Sequence, residues 1–222
     1  MKPSLADALA QLQARASRKN VEGMARFGIV AKKALGVPVG EIRAIAKGIG
    51  RDRALAAALW RTGIYEARLL ACFVEDPAKI TPAQMNRWAA AFDNWAICDT
   101  ACFHLFDKSP HAFDRVHAWA ADEREFVRRA AFALLASLAL HDKARPDADF
   151  LKALPLIERT ADDGRNFVKK GVSWGLRGIR HRKSLPLKAA ALAMARRLST
   201  STNPVQRWIG NDALRDFLRT KK

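Results

Sequence analysis

Trp95 and Asp99 stand four residues apart in the segment from Phe92 to Cys102, the most unusual stretch of the chain. On a helix this spacing places both side chains on one side, where an indole and a carboxylate can line a pocket together. A carboxylate beside an apolar stripe costs free energy unless a cation or a hydrogen-bond donor meets it. Two partners for Asp99 are open: an arginine of a neighbouring helix, or a substrate.

A second group of side chains suited to chemistry is Lys170, Trp174 and Arg177, separated by four and three residues. On a helix they share a face that presents a flat aromatic surface between two cations. The cations would bind phosphates, and the indole would contact a sugar or a base. The alternative is that Trp174 anchors the core and the cations surround it in solvent.

Cys98 and Cys102 have helical spacing and His104 follows them, but no second pair of ligands stands at structural-zinc distance. We interpret both cysteines as small core side chains and predict neither a metal nor a cofactor. The sequence also has no glycine-rich phosphate loop, nucleophile elbow or HExxH motif.

The charge favours a polyanion as partner. The 222 residues carry a formal net charge of +17 with a pI near 10.5, and no acidic residue stands between Asp163 and Asp212. Nucleic acid is the leading candidate, and the alternative is a solvated basic surface that binds nothing in particular. In or near this region we predict DNA contacts for a set of basic residues: Arg128, Lys169, Lys170, Arg177, Arg180 and Arg207.

The elements that position these residues are predicted to be helices throughout. Alanine, leucine and arginine are abundant, and apolar residues recur at intervals of three and four. No segment alternates in the manner of a strand. The predicted helices cover residues 4–16, 20–34, 39–48, 51–60, 64–74, 82–91, 93–106, 110–121, 124–140, 147–161, 164–179, 184–199 and 203–218.

An internal echo indicates helical repeats. The pentapeptide that begins at Phe126 (Phe-Val-Arg-Arg-Ala) returns 41 residues later at Phe167 (Phe-Val-Lys-Lys-Gly), and a weaker copy begins at Val205. A period of about 40 residues is typical of HEAT-like solenoids, in which helical pairs stack and corresponding side chains line one concave face. Arg129, Lys170 and Arg207 would then form a basic ladder, whereas a chance match would leave them unrelated.

The breaks between helices are short, so we predict a single domain over residues 1–222, working as a monomer. An odd number of cysteines without framework spacing favours a reducing, cytoplasmic location. The N-terminus contains no signal-peptide core, and no stretch approaches the roughly 20 apolar residues of a membrane span.

Several segments, in this order, resemble the AlkD-like DNA alkylation repair proteins, the HEAT-like-repeat alkylpurine DNA glycosylases. They are Ala34-Leu35-Gly36-Val37-Pro38-Val39 with Ile42-Arg43, Tyr65-Glu66-Ala67-Arg68, the Trp95 and Asp99 pair, the pentapeptide at Phe126, and residues 167–177. The resemblance covers most of the chain. It implies an all-α superhelix of HEAT-like repeats with a basic concave face.

The resemblance also implies an activity and roles. The activity is hydrolysis of the N-glycosidic bond of cationic alkylated purines, such as 3-methyladenine and 7-methylguanine, in duplex DNA. Trp95 and Trp174 would contact the deoxyribose of the lesion, Asp99 would be the catalytic carboxylate, and Arg129 would hold a backbone phosphate.

Two points separate this chain from the glycosylases. Ala96 stands where those enzymes usually carry an acidic residue, and spacing does not choose between Arg128 and Arg129 as the phosphate ligand. Some relatives with this fold bind DNA without glycosylase activity. We therefore carry two hypotheses: a monofunctional glycosylase, and a non-enzymatic protein that binds damaged or branched DNA. A scaffold for an acidic protein is a third class.

Overall fold

The computed structural model describes residues 3–219, and over this range the chain forms helices and no strand. The predicted all-α class is confirmed. The helices are α1 (Leu5–Gln13), α2 (Arg18–Met24), α3 (Val39–Ile49), α4 (Arg53–Arg61), α5 (Tyr65–Val74), α6 (Pro82–Ala90), α7 (Trp95–His104), α8 (Ala112–Trp119), α9 (Glu125–His141), α10 (Asp147–Thr160), α11 (Asn166–His181), α12 (Leu185–Ser199) and α13 (Pro204–Arg219).

One predicted helix, over residues 20–34, is wrong in its second half. α2 ends at Met24, a single 3-10 turn covers Ala25–Phe27, and Gly28 adopts a left-handed conformation with φ of 68°. Glycine enters this region without the steric cost that other residues meet there, so it ends the helix. The Ile29 amide then donates to the Met24 carbonyl, which closes the helix end.

The chain beyond this point is held by a buried carboxylate. Glu66 is fully buried and accepts hydrogen bonds from the Leu35 and Gly36 amides at 2.8 and 2.6 Å. Gly36 has φ of 77°, and a Cβ there would overlap the Ser17 carbonyl oxygen. The Leu-Gly-Val-Pro segment therefore needs its glycine for both conformation and space.

The chain divides into two compact units, one up to Ser109 and one from Pro110 onward. In the first unit α3 packs on α5, α5 packs on α7, and α4 lies against α5. The single domain expected from the short breaks stays a prediction.

The second unit consists of helical pairs. α8 packs on α9, α10 on α11 and α12 on α13, while α9, α11 and α13 lie side by side. The sequence echo belongs to this layer, since the Phe126 and Phe167 rings meet with centroids 5.4 Å apart. The echo extends to the turns before α9 and α11, where Asp122 and Asp163 each accept a hydrogen bond from the amide two residues on.

Candidate nucleic-acid interface and catalytic residues

The start of α7 is defined by Asn94. This side chain is buried, and its carbonyl oxygen accepts a hydrogen bond from the Ile97 amide at 3.0 Å, a standard helix cap. Trp95 is consequently the first residue of α7, and Asp99 follows one turn later on the same side, as the spacing predicts. Both side chains are half-buried.

Trp95 is anchored to a segment far from it in sequence. Its indole Nε1 donates a hydrogen bond of 2.8 Å to the carbonyl of Phe27, the last residue of the 3-10 turn after α2. Phe27 is itself 70% exposed, which is unusual for a large aromatic residue. Phe27 was not among the predicted site residues, because the predicted helix over residues 20–34 places it in mid-helix. The glycine after it was the available signal.

The thiols beside Asp99 belong to the core. Cys98 and Cys102 are fully buried and form no disulfide within residues 3–219, which confirms their interpretation as small core side chains. Burial raises the pKa of Cys102 well above its usual value, and the hydrogen bond with Cys98 and the charges of Asp99 and Asp107 act in the same direction. Within residues 3–219 no three His, Cys, Asp or Glu side chains are grouped as a metal site would need.

In the second unit, Trp174 is half-buried on α11, and the cations near it differ in their surroundings. Arg177 lies 3.5 Å from Asp216 and 3.8 Å from Asp212, two carboxylates of α13. Lys170 is exposed and forms no ion pair within the described part of the chain. Of the two predicted cations on this face, Lys170 is therefore the more accessible to a phosphate.

Arg128 and Arg129 both point to internal partners. Arg128 forms an ion pair of 2.8 Å with Asp163 and donates to the Asp122 carbonyl at 2.7 Å. Arg129 is 6% exposed and donates to the Phe167 carbonyl, in the first turn of α11, at 2.8 Å. Both arginines thus tie α9 to the start of α11, and the phosphate contact predicted for one of them stays a prediction.

The remaining residues predicted to bind DNA are cations whose side chains contact aromatic rings or backbone carbonyls of the protein itself. Lys169 lies over the Trp208 ring at 5.1 Å and Arg180 over the Phe217 ring at 5.4 Å. The exposed Arg207 donates to the Ser201 and Thr202 carbonyls at 2.9 and 2.7 Å. These contacts orient the positive groups, and the role of each in DNA binding stays a prediction.

The four residues predicted to be catalytic are thus found in two places. Trp95 and Asp99 share one side of α7 in the first unit, and Arg129 and Trp174 belong to the α9 and α11 layer of the second. Their roles stay predictions.

Comparison with known proteins defines the class. Residues 8–214 match the family of DNA alkylation repair enzymes, and the chain belongs to this family. No curated protein matches the chain. A solved structure described as a new family of proteins related to the HEAT-like repeat DNA glycosylases, with affinity for branched DNA structures, superposes with a TM-score of 0.80. The sequences are 19% identical, and the match covers 96% of this chain and 95% of the other.

This likeness, with the helical pairs of the second unit, confirms the predicted HEAT-like repeat fold. None of the helices over residues 3–219 combines the length and apolar character needed to cross a bilayer.

Proposed function

We propose that this protein is a monofunctional DNA glycosylase that releases cationic alkylated purines from duplex DNA. The observation that carries the proposal is the pairing of Trp95 with Asp99 on one side of α7, with the indole fixed by its hydrogen bond to the Phe27 carbonyl. Membership of the DNA alkylation repair family supports it.

The chemistry matches these residue types. A 3-methyladenine or 7-methylguanine base already carries positive charge, so it leaves as a neutral molecule without a general acid. Positive charge then develops on the deoxyribose, and the carboxylate of Asp99 stabilises it. Water adds its oxygen to the anomeric carbon and loses a proton. The faces of Trp95 and Trp174 favour the cationic sugar through their quadrupoles.

The other residues would hold the DNA. We assign Arg129 to a backbone phosphate near the lesion, with Arg128 as the alternative, and Lys169, Lys170, Arg177, Arg180 and Arg207 to further phosphates. The partner is double-stranded DNA with alkylated bases, bound by a monomer without metal or cofactor. A DNA substrate and three buried thiols that form no disulfide in the described part of the chain support a cytoplasmic location.

The test is release of methylated purines from duplex DNA treated with a methylating agent, resolved by chromatography. We expect Asp99→Asn to lower the rate of release about a hundredfold, as loss of a preorganised electrostatic group does, while DNA affinity is retained. Asp162→Asn removes an exposed carboxylate and is the matched control. Equal rates for the wild type and Asp99→Asn would reject Asp99 as the catalytic group.

A second candidate function is the binding of branched DNA without catalysis. The solved structure with TM-score 0.80 favours it, since that family is described by its affinity for branched DNA. In a gel-shift assay a four-way junction should then compete better than a duplex of equal length, and Asp99→Asn should bind as the wild type does. Absence of base release by the wild type, together with this preference, would decide for the second function.

A further inference from the structure

A cavity of about 540 Å³ lies in the first unit between α4 and α6. This volume is within the usual range for sites of small organic ligands. Its lining comes from α4, from α6 and from Glu75, which follows α5, and no residue of α7 takes part. None of the residues in the proposed glycosylase site lines it.

The apolar wall of the cavity is built from two stacked indoles. The Trp60 and Trp88 rings are parallel within 2° with centroids 4.1 Å apart, and both residues are almost fully buried. Ala54 and Ala57 add methyl groups beside them. The small alanines leave open the space next to the indole edges, and a flat ligand can use that apolar surface.

The polar groups of the cavity determine which hydrogen-bonding groups a ligand needs. Glu75 is 1% exposed, and its carboxylate is satisfied by the Gln84 amide at 2.6 Å, by the Asp76 amide at 2.8 Å and by Arg53 at 3.3 Å. Gln84 is 8% exposed, and because its nitrogen is used by Glu75, its carbonyl oxygen is left as an acceptor. No described residue donates to that oxygen.

The rim of the cavity is cationic. Arg61 and Arg87 are exposed, line the opening, and have no carboxylate partner within residues 3–219. With Arg53 paired to Glu75, these two guanidinium groups leave the lining with a net positive charge. Guanidinium groups bind phosphate through paired, charge-assisted hydrogen bonds.

We propose that this cavity is a nucleotide-binding site, in which the base lies against Trp60 and Trp88, an amino group of the base donates to Gln84, and the phosphate binds Arg61 and Arg87. The ligand is either a free nucleotide or an unpaired nucleotide of a DNA strand. The proposal does not depend on the proposed glycosylase activity.

Titration calorimetry of the full chain with dAMP, deoxyribose 5-phosphate and a single-stranded dodecamer tests the proposal. We expect dAMP or the dodecamer to bind, and each of Arg61→Gln and Arg87→Gln to weaken binding about tenfold, the loss of one charge-assisted hydrogen bond. Ala57→Leu narrows the space beside the two indoles and should weaken binding. Arg196→Gln, an exposed arginine of α12, is the matched control.

If neither dAMP nor the dodecamer binds, the proposed nucleotide site is wrong. Binding of dAMP with this dependence on the variants supports the site with a free nucleotide as ligand, and binding of the dodecamer alone supports it with a strand nucleotide. If deoxyribose 5-phosphate binds as tightly as dAMP, or if the arginine and alanine variants bind as the wild type does, the nucleotide site is wrong. The arginine variants decide alone if Ala57→Leu does not fold. Release of methylated purines by Ala57→Leu reports separately on the Trp95 and Asp99 site.

Discussion

Asp163 is the carboxylate on which α9 and α11 depend at their N-terminal ends. Its side chain is only 6% exposed and accepts hydrogen bonds from Arg128 in α9 and from Arg165 just before α11. Burial alone would raise the pKa of Asp163, but the hydrogen bonds from Arg165 and Arg128 outweigh it and lower the pKa to about 2. The folded state therefore prefers the charged carboxylate more strongly than the unfolded chain does.

This preference makes stability depend on pH. The contribution of Asp163 is complete above its unfolded pKa, near 3.8, and is lost as the pH falls through the folded value of about 2. We expect Asp163→Asn to lower the free energy of unfolding by about 2 kcal/mol at pH 7. The decrease in stability between pH 4 and 2 should also be smaller in this variant than in the wild type. Urea unfolding at several pH values measures this, with Asp162→Asn as control. If the free energies of unfolding of the two variants differ by the same amount at every pH, the predicted role of Asp163 is contradicted.

At the scale of the elements, glycine sets how closely helices approach. A Cβ at Gly175 of α11 would meet Phe132 of α9 at ordinary contact distance, whereas a Cβ at Gly210 of α13 would overlap the backbone at Ala195, Leu198 and Ser199 of α12. α12 and α13 therefore pack backbone to backbone at Gly210. A methyl group at this position would clash with the backbone of α12 unless the two helices move apart.

We expect Gly210→Ala to destabilise the protein by about 1–3 kcal/mol, the typical cost of overpacking, although alanine is the better helix former. The control is Gly48→Ala in α3, where a Cβ would meet nothing within 4 Å. That change should stabilise by up to about 1 kcal/mol through helix propensity alone. Thermal unfolding of both variants measures whether each change stabilises or destabilises the protein. A stabilising Gly210→Ala would show that α12 and α13 are not held at this distance.

For the whole molecule, we expect the net charge of +17 to govern the proposed binding to DNA. Binding that neutralises phosphates releases counterions, so affinity falls linearly with salt on a logarithmic scale. We expect duplex affinity to fall on the order of a thousandfold between 50 and 200 mM salt if about six phosphates are contacted. Fluorescence anisotropy at several salt concentrations measures the slope.

The contribution of a single cation to this salt dependence can be measured. Lys170→Gln should reduce the salt slope by about one unit if Lys170 meets a phosphate. Lys152→Gln, an exposed lysine of α10, should leave the slope unchanged. Equal slopes for both variants would remove Lys170 from the interface, and an affinity independent of salt would favour a partner other than nucleic acid.

The elements of this protein could be predicted from the sequence because their signals are local. Alanine- and leucine-rich segments with apolar residues three and four apart form helices. α6 begins at Pro82, the predicted first residue, and α13 begins at Pro204, one residue after the predicted start. The echo at Phe126 and Phe167 correctly predicted stacked helical pairs. The one incorrect helix failed at Gly28, where a single left-handed residue outweighs the apolar pattern that continues beyond it.

The partners of the candidate site residues were decided only by the tertiary structure. Trp95 donates to Phe27, 68 residues away, Arg128 pairs with Asp163 at a separation of 35, and Arg177 meets carboxylates of α13. The sequence showed that these residues are aromatic or cationic and which helix face they share. A charge or an indole is recognised by its type, but its partner depends on which helices pack together, and that is determined by apolar burial over the whole chain.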